Sequence, residues 1–71
     1  RDSKTKLQEY SLKTYKMLPV YKLLDNKGPR HKPLIKVSVK IKKSKNITAT
    51  GHSKKEAEQK AAKKLLTILK L

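Results

Sequence analysis

The chain has 71 residues, and its 20 Lys and Arg against five Asp and Glu give a formal net charge of +15 at pH 7. This length predicts one small domain, and the absence of cysteine excludes disulfides and thiolate metal sites. So large a charge favours a polyanionic partner, with nucleic acid ahead of an anionic membrane surface. A disordered basic tail is disfavoured, because the apolar residues follow regular periods. No segment resembles a membrane span or a signal peptide.

A first helix is predicted over residues 3–16. Asp2 or Ser3 is placed to cap it, and Pro19 prevents its continuation. The residues that recur at helical spacing along its inner face are Leu7, Tyr10, Thr14 and Leu18.

Three strands are predicted after this helix, at residues 20–25, 35–42 and 47–50. The middle strand alternates most clearly, with Lys36, Ser38, Lys40 and Lys42 expected on the wet face. Its buried face is expected to consist of Ile35, Val37, Val39 and Ile41. Turn-forming residues separate the strands at 26–29 and 43–46.

A last helix is predicted to begin at Ser53. We expect Ser53 and Glu56 to form a capping box, in which the hydroxyl accepts from the Glu56 N–H and the carboxylate accepts from the Ser53 N–H. About half of the helix circumference is apolar or small: Ala57, Ala61, Ala62, Leu65, Leu66, Ile68 and Leu69. The predicted fold class is therefore α+β in the order α-β-β-β-α, with a three-stranded antiparallel sheet and both helices packed on one face.

Three groups of residues are candidates for ligand contacts. Lys54 and Lys55 occupy the first turn of the last helix. Their positive charges oppose the helix dipole, but the helix N-terminus is a site that favours anions, so the two lysines are placed to bind one. The alternative is two solvated surface lysines. Thr5, Gln8 and Glu9 share a stripe of the first helix, and Gln8 and Glu9 can accept hydrogen bonds from ribose hydroxyls. From the residues alone, an ordinary polar helix face is the favoured interpretation of this stripe.

The third candidate is the loop formed by Gly28, Pro29, Arg30 and His31, whose stiff backbone could present His31 to a groove. A surface histidine without a ligand is the alternative.

Taken together, the motifs resemble the double-stranded-RNA-binding domain family over residues 1–71. The resemblance is carried by KLQE at 6–9, PVY at 19–21, GPRH at 28–31, IKVSV at 35–39 and GHSKKEAEQKAA at 51–62. The sequence most resembles the C-terminal domain of bacterial ribonuclease III, whose last helix typically has a sequence similar to SKKEAEQKAAKKLL. One departure is Glu58, at a position where many family members have a lysine. On a helical wheel it lies between Lys54 and Lys55, where a phosphate contact would otherwise be expected, so we expect it to weaken the affinity of the isolated domain.

The resemblance implies contacts with an RNA duplex by Thr5, Gln8, Glu9, Pro29, Arg30, His31, Ser53, Lys54 and Lys55. The first helix and the His31 loop are expected to enter two successive minor grooves, with the last helix across the intervening phosphates, over roughly 16 base pairs.

The resemblance also implies a longer parent protein, and the first residue, Arg1, agrees with a fragment. Such a parent is expected to be a cytoplasmic, magnesium-dependent endonuclease that processes RNA, including ribosomal RNA, and dimerises through its nuclease domain. This chain itself shows no catalytic set and no carboxylate cluster for magnesium, so no catalysis and no cofactor are assigned to it. The alternatives are a protein-interaction module of the same fold and a duplex-RNA-binding protein without a nuclease.

Overall fold

The computed structural model describes residues 2–71 and contains the predicted order of elements. The helices are α1 (Ser3–Tyr15) and α2 (Lys54–Ile68), and the strands are β1 (Val20–Lys27), β2 (Leu34–Lys40) and β3 (Ile47–Gly51). The strands form an antiparallel sheet in the order β1-β2-β3. The prediction of an α-β-β-β-α fold is confirmed. Within residues 2–71, no helix is long and apolar enough to cross a membrane.

One core lies between the inner face of the sheet and the helices. Its centre is β2, because α2 packs across β2 and β3 while α1 packs mainly against α2. Alanines on α2 bring the helix close to the sheet, since their short side chains fill little of the space between the layers. The buried apolar residues are Leu7, Val37, Val39, Ile41, Ala57, Ala61, Ala62, Leu65 and Leu66.

The inner face of α1 differs from the predicted stripe. Lys16 adopts a left-handed conformation with φ of 59° and ends the helix, so Leu18 lies beyond it and is 58% exposed. Thr14 is also exposed. Ser11 is buried instead, and its hydroxyl donates to the carbonyl of Met17 at 2.6 Å. A polar side chain thus takes the core position because it ties down the chain that leaves the helix.

The strands also depart from the predicted boundaries. β1 runs two residues past Asp25, because Asn26 and Lys27 pair with β2 after an irregularity between Leu23 and Asp25. Ser38, predicted to be wet, is only 3% exposed because it lies on the central strand between its partners on β1 and β3.

Two apolar positions near element ends behave differently from each other. Ile41 lies just past β2 and stays buried, held by a hydrogen bond from its N–H to the Ser44 hydroxyl at 3.0 Å. Ile68, predicted on the buried face of the last helix, is 59% exposed because it lies in the last turn of α2.

At Gly51 the end of β3 lies close against the start of α2. A Cβ atom at this position would lie 2.7 Å from the backbone nitrogen of Ala57 and 2.8 Å from Oε1 of Glu56. The carboxylate could move aside, but the backbone of α2 could not move without shifting the helix. Only glycine therefore allows this spacing between the strand and the helix.

We expect Gly51→Ala to lower the free energy of unfolding by about 1–3 kcal/mol, the usual cost of overpacking a closely packed site. Urea denaturation of the purified domain measures the change. The exposed neighbour Thr50 provides the control, because Thr50→Ala should cost less than about 1 kcal/mol. Equal unfolding midpoints for Gly51→Ala and the unmodified domain would contradict this account.

Candidate nucleic-acid interface

The start of α2 is fixed by two caps, one of which differs from the prediction. The Ser53 hydroxyl accepts from the Glu56 N–H at 3.0 Å, as predicted. The Glu56 carboxylate, however, accepts from the N–H of His52 at 2.6 Å and not from that of Ser53. This hydrogen bond is the main reason why the pKa of Glu56 lies below its ordinary value. The carboxylate reaches one residue further back because Ser53 is extended, with φ of −145°.

Lys54 and Lys55 are exposed in the first turn of α2, where they were predicted. The free N–H groups of a first helical turn and the positive end of the helix dipole favour an anion at this place. The two exposed ammonium groups enlarge the positive field around it. The geometry therefore suits phosphate, whose charge and oxygens match these donors.

A cleft of about 570 Å³ joins these lysines to α1. We call it the interhelix cleft. Thr5 and Gln8 lie along one side of it, so the structure brings these two side chains together with Lys54 and Lys55. Glu9 is exposed on α1 but does not line the cleft. The lining residues are Asp2, Lys4, Thr5, Gln8, Lys54, Lys55, Glu58 and Gln59.

Glu58 does not occupy the position that the sequence suggested. It was predicted to lie among the exposed lysines, but it is 8% exposed and faces α1, where its carboxylate pairs with the Lys4 ammonium at 2.6 Å. Its charge is therefore neutralised inside the domain. The expected weakening of RNA binding assumed that the Glu58 carboxylate is exposed beside the two lysines. In the structure this carboxylate is buried.

Lys4 has a second partner, the ring of Tyr21, whose centroid lies 4.9 Å from the ammonium. The Tyr21 hydroxyl is buried and has no hydrogen-bond partner among residues 2–71. Burial, with the nearby charges of Glu58 and Asp2, raises the pKa of Tyr21 to about 12. The phenol is therefore neutral at physiological pH and acts as a packing surface for Lys4.

The third candidate segment, with Pro29, Arg30 and His31, is the exposed loop between β1 and β2. Gly28 begins it with φ of +88°, and the Lys32 N–H donates to the Pro29 carbonyl at 2.9 Å. These side chains lie outside the interhelix cleft and form a separate surface.

This loop nevertheless lies at the same end of the sheet as the start of α2. Gly51, at the end of β3, pairs with Ile35 at the beginning of β2, just after the loop. His52 links the start of α2 to the end of the loop, since its Nδ1 lies 2.9 Å from the carbonyl oxygen of Pro33. Sequence reasoning missed this contact and the one between Lys4 and Glu58, because each joins residues far apart in the chain.

The described part of the chain, residues 2–71, contains no group of three or more His, Asp or Glu side chains that could hold a metal ion.

Comparison with known proteins gives a consistent result. The family model described as "Double-stranded RNA binding motif" matches residues 3–69. The chain is similar to Ribonuclease 3 of Pelagibacter ubique, with 69% identity over 86% of this chain and 28% of the relative. It is also similar to Ribonuclease 3 of Nitratiruptor, with 47% identity over 99% of this chain and 31% of the relative. For Ribonuclease 3 of Leptospira interrogans the identity is 48%, over 92% of this chain and 26% of the relative. The chain thus spans less than a third of each of these relatives.

We expect Glu58→Lys to destabilise the domain, because it places two ammonium groups together in a partly buried position. The expected loss is about 1–3 kcal/mol, between the cost of losing an exposed ion pair and that of breaking a fully buried one. Urea denaturation measures it. The exchanged pair, Lys4→Glu with Glu58→Lys, should recover part of the loss. An unchanged midpoint for Glu58→Lys would mean that this position faces solvent.

Proposed function

Because the chain belongs to the double-stranded RNA binding motif family, we propose that it holds duplex RNA for a ribonuclease III-type endonuclease. The observation that carries the proposal is the interhelix cleft, which places Lys54 and Lys55 beside Thr5 and Gln8 of α1. A phosphate site next to hydroxyl and amide groups matches a nucleic-acid backbone that carries ribose hydroxyls.

Each segment has a distinct role in this proposal. Lys54, Lys55 and the first-turn N–H groups of α2 bind phosphates across the major groove. The side-chain oxygens of Gln8 and Glu9 accept hydrogen bonds from 2′-hydroxyl groups in one minor groove. The loop with His31 enters the next minor groove, so the domain measures the A-form shape over roughly 16 base pairs and depends little on sequence.

The parent protein is proposed from the relatives, which carry the name Ribonuclease 3. In this proposal an attached nuclease domain supplies the catalytic carboxylates, the magnesium and the dimer contacts. The parent processes cellular RNA, including ribosomal RNA, in the cytoplasm and without a membrane partner. The present chain contributes affinity for the duplex and no catalytic group.

We expect Lys54→Ala or Lys55→Ala to weaken duplex-RNA binding by about 1 kcal/mol or more and to lower the salt slope of log K by about one. The reason is the loss of one phosphate contact with its released counterion. Fluorescence titration at several salt concentrations measures both quantities.

The control for this experiment is Lys42→Ala, which removes the same charge from an exposed position after β2, at the other end of the sheet. It should change the affinity much less than either helix variant. If the double variant at 54 and 55 still bound like the unmodified domain, the start of α2 would not be the phosphate site.

We expect the domain to bind duplex RNA more tightly than duplex DNA of the same length and sequence. B-form DNA lacks the 2′-hydroxyl groups and has different groove widths, whereas the total phosphate charge is the same. Competition of each unlabelled duplex against labelled RNA measures the preference. Equal competition would mean that net charge alone drives binding.

A further inference from the structure

The proposed function requires the loop between β1 and β2 to reach a groove at a fixed distance from α2. Residues 28–32 are exposed, and the turn is closed internally by the hydrogen bond between Lys32 and Pro29. This internal bond shapes the loop but does not set where it lies relative to α2. The sheet fixes the two ends of the loop, at Lys27 and Leu34, so a contact from the start of α2 adds a further restraint on the residues between them.

His52 makes such a contact through its hydrogen bond with the Pro33 carbonyl. A carbonyl oxygen can only accept, so Nδ1 of His52 carries the hydrogen. His52 itself is held firmly, because its N–H donates to the Glu56 carboxylate at 2.6 Å and it directly precedes the Ser53 cap. The imidazole therefore extends from the rigid start of α2 to the last residue of the loop.

We infer that His52 is a positioning residue that sets the spacing between the His31 loop and the phosphate site at Lys54 and Lys55. It thereby favours duplexes long enough to present two minor grooves at that spacing. This inference rests on the proposed RNA binding and adds a residue that the binding segments do not include. Without the bond, the loop has to be ordered when RNA binds, and the entropy of that ordering opposes binding.

The decisive variants are His52→Ala, His52→Asn and His52→Gln. Asparagine has an amide nitrogen the same number of bonds from the backbone as Nδ1 of histidine, so it can donate to Pro33. The longer glutamine places its amide one bond further out. On a duplex of roughly 20 base pairs, longer than the span of about 16, we expect His52→Ala to weaken binding roughly three- to tenfold, the worth of one net hydrogen bond.

We expect His52→Asn to restore most of this affinity and His52→Gln to restore less. All three variants should remain fully folded under the binding conditions, because His52 is exposed and only its side-chain hydrogen bond to Pro33 is changed. NMR relaxation adds a direct observation. In His52→Ala the amides of Arg30, His31 and Lys32 should become more mobile, while those of α2 should not.

A second duplex of about eight base pairs, half of the two-groove span, separates positioning from direct contact. It cannot engage α1 and the loop together, so His52→Ala and the unmodified domain should bind it equally at low salt. An equal loss on both duplexes would overturn the inference in favour of a direct RNA contact by His52. Equal affinity of the unmodified domain and His52→Ala for the longer duplex would overturn it as well. Failure of the unmodified domain to bind either duplex would instead overturn the proposed function.

Discussion

The ion pair between Lys4 and Glu58 lies where α1 meets α2, and the placement of α1 depends on it. Gln59 reinforces the junction, since its side chain donates to Asp2 at 2.6 Å and accepts from the Lys4 N–H at 3.1 Å. On α1 only Leu7 and Ser11 are fully buried, while Tyr10 and Tyr15 pack part-buried against the core, so the polar contacts add to the apolar packing that orients the helix. A carboxylate as buried as that of Glu58 is stable only with a partner, and this requirement specifies which turn of α1 lies beside α2. Thr5 and Gln8 of α1 and the lysines of α2 consequently share one cleft.

The same start of α2 is tied to the sheet and to the loop. Gly51 lets β3 and α2 approach each other, and His52 and Ser53 follow it immediately in the chain. A short run of residues therefore combines a close backbone contact, a tie to the loop and a helix cap. Because all of these features meet at one place, the proposed RNA-binding segments form a single arrangement although they come from three parts of the sequence.

Most acidic residues of this basic domain make contacts within the fold. Asp2 caps α1, Glu56 caps the backbone before α2, and Glu58 is the internal partner of Lys4. Asp25 lies 3.4 Å from Lys27 and accepts from the N–H of Asn26. Most of the negative charge is thus used in holding the fold together. The lysines at the start of α2 keep their positive field, which a polyanion can neutralise.

The sequence by itself determined the order of elements, the Ser53 cap and the position of Lys54 and Lys55, because these depend on local spacing and helix periodicity. It also placed the core of β2 correctly, since alternation on a central strand is a strong signal. Only the tertiary structure decided the direction of Glu58, the burial of Ser11 and Ser38, and the exposure of Leu18 and Ile68. These features depend on neighbours distant in the chain and on where each element ends. For the same reason no pattern in the sequence indicated that His52 reaches Pro33, 19 residues away.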